Sequence, residues 1–194
     1  LLITFGLSVI LQNGLLELFS GDSRRLDAGP MATASVGIGD LSVGVFPILT
    51  LLVAVAVIGG LQFLFARTAI GRALRATSDD PEIVQLMAID SRRIYAAAMA
   101  IASATVALAG VFLGMTKAFD PLLGPPQLLF AFEAVIIGGL GSLWGTLVGG
   151  MVLGIAQAIG FRIDPGWGIL FGHLAFFSIL LFRPQGLFPK TRDR

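Results

Sequence analysis

The feature that most constrains this chain is the length of its uncharged apolar runs. Val43–Ala66 extends 24 residues and Ile94–Thr116 extends 23 residues without a formal charge. A helix needs about 20 apolar residues to cross the ~30 Å of a bilayer's hydrocarbon. A charge at mid-depth is expensive, so it is excluded from such runs. Three more segments follow the same rule. Leu1–Phe19 carries only Glu17, Leu128–Phe161 carries only Glu133, and Gly166–Phe182 carries none. Only 13% of the chain is charged, against about 25% in ordinary soluble domains. The pattern predicts an all-α, polytopic transmembrane helical bundle in a single domain, residues 1–194.

The remaining composition is exclusionary. A net charge of +1 gives nucleic acid nothing to bind. With no cysteine and one histidine, His173, structural zinc, disulfides and thiol catalysis are ruled out. His173 is expected to make an interhelical hydrogen bond rather than ligate a metal. No basic stretch precedes the first apolar run, so it does not read as a signal peptide. It reads as the interior of a membrane helix whose earlier part is missing.

Basic residues set the orientation. The loop 67–93 holds Arg67, Arg72, Arg75, Arg92 and Arg93, and the tail holds Arg183, Lys190, Arg192 and Arg194. Both are expected inside, and the loops 20–42 and 117–127 outside. Leu128–Phe161 must then be more than one span. As one helix it would be ~51 Å long, and Gly138-Gly139-Leu140-Gly141-Ser142 interrupts it with a break signal. A re-entrant or broken helix pair is expected, joined near 139–145. Gly166–Phe182 then crosses inward and Pro184 helps stop it.

Small residues repeat at four-residue spacing: Gly141, Gly145 and Gly149; Gly150 and Gly154; Gly110 and Gly114. Such spacing lets helix backbones approach, and the alanine-rich run 96–110 is expected to lie inside the bundle. Gly139-Leu140-Gly141 lacks the third glycine, the preceding strand and the lysine of a nucleotide-binding loop. Trp144, Trp167 and Tyr95 fit interfacial anchors.

The loop 67–93 is expected to contain a short helix, capped by Asp80, with Pro81 in its first turn and Glu82 at the positive end of its dipole. Ile83, Leu86 and Met87 then share one face. Such a helix either inserts into a groove on a cytoplasmic partner or lies on lipid headgroups.

Several stretches carry a family resemblance. They are Gly71-Arg72-Ala73-Leu74-Arg75-Ala76, then Asp80 and Leu86-Met87-Ala88-Ile89-Asp90, then the run from Gly138 to Gly154, and finally Phe182-Arg183-Pro184-Gln185-Gly186-Leu187-Phe188. In this order they resemble the permeases of branched-chain amino-acid ABC transporters, closest in type to the LivH subunit, over nearly the whole chain. The resemblance implies a bacterial inner-membrane subunit with a cytoplasmic C-terminus and a further N-terminal portion. It implies a second permease subunit, two cytoplasmic ATPase subunits and an extracytoplasmic substrate-binding protein. The partner subunits would use the ATP; this chain would bind no cofactor.

On that reading Asp80, Ile83, Leu86, Met87, Ile89 and Asp90 couple to the ATPase, and Gly71, Arg72 and Arg75 anchor the loop. The solute path draws on Gln12, Asn13, Glu133, Gly138, Gly139, Gly141 and Ser142. For Glu133 a structural acid is an equal alternative. Rival functions keep the architecture with urea, an amide or a sugar as cargo, or replace ATP coupling by a channel or ion-coupled carrier.

Overall fold

A computed structural model describes residues 2–27, 29–32, 34–38, 41–80, 84 and 90–188. The chain is mostly helical and divides into two compact units, Leu1–Asp120 and Pro121–Arg194.

In the first unit, α1 (Leu2–Phe19), α2 (Val45–Arg67) and α4 (Ser91–Thr116) are each long and apolar enough to span a membrane. A helix α3 (Ala69–Asp79) stands between α2 and α4. Between α1 and α2 lie a 3-10 turn, Gly29–Ala32, and an antiparallel pair of short strands, β1 (Ser35–Ile38) and β2 (Leu41–Gly44). This small hairpin supplements the all-helical plan. The Val45 amide, donating to Ala34 O, ties its far end to the start of α2.

The two loops assigned to one side of the membrane do meet. Arg24 and Phe119 exchange backbone hydrogen bonds of 2.9 and 2.8 Å, and Leu26 N donates to Gly114 O. Leu26 and Phe119 pack where a side chain at Gly114 would stand. The loop 67–93 joins the other ends of α2 and α4.

The second unit is a three-helix hairpin: α5 (Gly124–Gly138), α6 (Leu143–Ile163) and α7 (Trp167–Phe182). The break predicted inside Leu128–Phe161 is present at 139–142, between α5 and α6. The first piece has 15 residues, or ~22 Å, and begins before Leu128 because Pro125 and Pro126 fit its first turn. The helix α7 stops at Phe182, two residues before Pro184. Apolar core residues here are Ile137 and Leu153.

Close contact uses only part of the predicted glycine pattern. A side chain at Gly138 would collide with the backbone of Gly145, one at Gly145 with Gly138 O, and one at Gly149 with Ala134 O. Gly110, Gly150 and Gly154 have open space around them. The alanine-rich run 96–110 contains no buried residue, contrary to the interior position expected of it. The contact between α6 and α7 instead uses Gly160, Gly168 and Gly172, where added side chains would meet Trp167 O, the Phe161 ring and Gln157. The four-residue spacing of Gly168 and Gly172 was the available signal.

Candidate functional site

Two places in the fold concentrate the predicted site residues: the corner from α2 into the loop 67–93, and the break between α5 and α6.

At the corner, Thr68 is the N-cap of α3. Its hydroxyl donates to Leu64 O at 2.7 Å and accepts from Gly71 N at 3.1 Å. One side chain thus satisfies an orphan amide of α3 and adds a second bond to Leu64 O, which already accepts from Thr68 N at 3.2 Å. Gly71 sits directly against the end of α2; a side chain there would collide with the Leu64 and Phe65 backbone. Arg72 and Arg75 are exposed, and Arg72 donates to Arg67 O at 3.3 Å.

Helix α3 was not anticipated from sequence, where this stretch read as loop. The signals were the Thr68 cap and a face at three-residue spacing. Gly71 and Thr77 on that face are buried and Leu74 is half-buried.

Asp80 links two segments. Its amide closes α3 on Ala76 O, its backbone is extended, and its carbonyl accepts from Val84 N at 3.3 Å. Val84 is buried. Ile83, Leu86, Met87 and Ile89 lie outside the described residues. At the far end Asp90 is the N-cap of α4, accepting from Arg92 N, and pairs with Arg93 at 3.3 Å. The pair is exposed, so its geometric role as a cap outweighs its charge. Thr77 and Ser91 are buried hydroxyl residues at the base of the loop; among the described residues neither hydroxyl has a hydrogen-bond partner.

The break is built from Gly138, Gly139, Gly141 and Ser142. Gly139 and Gly141 hold φ of 97° and 86°, a region costly for residues with a Cβ. Ser142 caps α6 by accepting from Gly145 N at 3.0 Å. The last four carbonyls of α5 are all satisfied, as a helix end in a membrane requires. Gly139 N bonds Val135 O and Ile136 O, while Leu187 N donates to Ile137 O at 2.8 Å and Phe188 N to Gly138 O at 3.0 Å. The break therefore lies against the segment that follows α7, at 186–188.

Sequence treated Glu133 and His173 separately, and the fold joins them. Glu133 Oε1 and His173 Nδ1 share a hydrogen bond of 2.5 Å between α5 and α7. Glu133 is buried, and its Oε2 has no partner among the described residues. The Phe130 ring stacks on the imidazole, with centroids 5.6 Å apart and planes 8° from parallel. This is the interhelical bond expected of His173. Among the described residues no cluster of three metal-ligating side chains occurs. Gln12 and Asn13 lie on α1, where Asn13 donates to Val9 O one turn earlier, not across helices.

The family described as branched-chain amino acid transport system / permease component matches residues 1–179. The high-affinity branched-chain amino acid transport system permease protein BraD of Pseudomonas aeruginosa is 33% identical over 96% of this chain and 62% of its own length. The corresponding LivH protein of Escherichia coli K12 is 33% identical over 60% of this chain and 39% of its own. The fructose import permease protein FrcC of Rhizobium meliloti is 30% identical over 62% of this chain and 36% of its own. The chain thus spans less than two thirds of the length of these relatives. No solved structure matches it. With a profile match across most of its length, the chain belongs to the branched-chain amino acid transport system permease family.

Proposed function

We propose that this chain is the membrane-spanning permease subunit of an ATP-driven importer, coupled to a separate ATPase through the loop 67–93. The observation that carries the reading is the family match over residues 1–179. The loop's framing supports it. The Thr68–Gly71 corner and the Asp90 cap give the loop a defined start and a defined end. Ile83, Leu86, Met87 and Ile89 would then present an apolar surface to the ATPase, with Asp80 and Asp90 bounding it. Arg72 and Arg75 would hold the loop at headgroup phosphates.

The rest of the assembly follows the same reading. A second permease subunit, identical or related, completes the solute path. Two cytoplasmic ATPases hydrolyse the ATP, and an extracytoplasmic binding protein delivers the solute. The membrane is the bacterial inner membrane. An odd number of crossings after Pro121 would bring the basic tail out on the cytoplasmic side together with the basic loop, as the positive-inside rule requires. Glu133 and the Gly138–Ser142 break border the path, with Gln12 and Asn13 on α1 as further polar candidates.

The cargo read from BraD and LivH is a branched-chain amino acid. The likeness to FrcC favours a sugar as the second reading.

Leu86→Asp in the assembled transporter tests the coupling. Uptake of labelled leucine is expected to fall at least ~10-fold, as for loss of an interface hot spot, with less ATPase co-purifying. Normal uptake and association in this variant would remove the loop from the docking role. Repeating the assay with labelled fructose separates the cargoes, since only a sugar carrier takes up fructose and loses that uptake in the variant.

A further inference from the structure

The segment after α7 is not simply an exit into the basic tail. Its backbone turns at Gly186, with φ of +82°, and lies against the break between α5 and α6. A Cβ at Gly186 would stand 2.5 Å from Gly139 Cα and N and 2.7 Å from Ile136 O. Beyond that contact, Leu187 N and Phe188 N donate to Ile137 O and Gly138 O. No intrahelical donor can reach these two carbonyls, because α5 ends at Gly138. The break is therefore completed by residues almost fifty positions later in the chain.

We infer that Gly186, Leu187 and Phe188 form a strap whose backbone holds the α5–α6 elbow in place, and that these three are positioning residues for the elbow. The physical reason is the membrane setting. A broken helix is tolerated there where its freed carbonyls are satisfied again by neighbouring protein or by cavity water. Two of the four terminal carbonyls of α5 find theirs in the strap. Gly139 and Gly141 permit the sharp turn, but they permit many other conformations too. The strap selects one. Its importance for transport rests on the reading that the elbow borders the solute path.

Amide hydrogen exchange on the intact protein in lipid nanodiscs tests this without mutation. The amides of Leu187 and Phe188 belong to no helix or strand, yet they are expected to exchange about 10-fold or more slowly than a free chain. Exchange at the free-chain rate overturns the strap. Gly186→Ala is expected to speed exchange of both amides and of the last turn of α5 several-fold. Leu187→Ala keeps the donor and serves as the conservative control, with exchange unchanged. An unchanged pattern in Gly186→Ala overturns the proposal. Uptake separates the two readings. Gly186→Ala should lower maximal uptake several-fold while leaving half-saturation in place. If exchange accelerates and uptake is untouched, the strap stands and the elbow no longer borders the path.

Discussion

The two units share the same apolar composition and bury very different amounts of it. In the first, no residue of α1 is buried, α2 buries only Phe46, and α4 buries only Ser91 and Gly114. In the second, α5 buries Glu133, Ile137 and Gly138, α6 buries Gly145, Gly149, Leu153 and Gly160, and α7 buries Gly168 and Gly172. Six of those nine residues are glycines. Apolarity alone therefore does not bring helices together in a bilayer, where lipid is as good a neighbour as leucine. Contact depends on small residues that let backbones touch, and on polar pairs such as Glu133 and His173. Among the described residues, the long spans of the first unit bury few side chains. Tight contacts among its described residues include the Thr68–Gly71 corner, the Arg24–Phe119 bridge and the Phe46–Phe112 ring pair.

Three substitutions sharpen this contrast. The largest effect is expected from Gly138→Leu, which drives a side chain into the Gly145 backbone. Backbone collisions cannot relax by rotamer change, so a loss of about 3 kcal/mol or more is expected, read as a collapse in the yield of monodisperse protein. A well-behaved Gly138→Leu protein would show that the hairpin is not held by close glycine contact.

Glu133→Ala should cost about 1–3 kcal/mol by leaving His173 Nδ1 without its partner. The readout is thermal unfolding in detergent. Glu133→Gln, which can still bond the imidazole, should recover most of the loss. Equal losses in the two variants would mean that the hydrogen bond is not what matters there.

The smallest effect belongs to the first unit. Gly110 has open space around it, so Gly110→Ala should change stability by no more than about 1 kcal/mol, in the stabilising direction, through helix propensity. A loss comparable to that of Gly138→Leu would show that α4 is closely packed after all, and the contrast between the units would fail.

The functional residues divide along the same line. The corner is partly legible: the sequence marks Gly71, Arg72 and Arg75, but not the helix that carries them. Its Thr68 cap is a weak local signal beside the strong apolar run that precedes it. The pairing of Glu133 with His173 was not legible at all, since forty positions separate them. Each alone was a polar residue in an apolar helix. The same holds for Gly186, whose positive φ has meaning only against Gly139.

Sequence by itself determined that this chain enters a membrane, that its spans are helical, and that the run 128–161 breaks at its glycines. Those outcomes follow from local quantities: the length of each apolar run, the positions of charges, and the backbone freedom of adjacent glycines. Tertiary structure decided which glycines carry contacts, which carbonyls of the broken helix find donors, and which two ionisable side chains meet. Those depend on distances between residues far apart in the chain, and a bilayer offers no water to satisfy whatever the fold leaves unpaired.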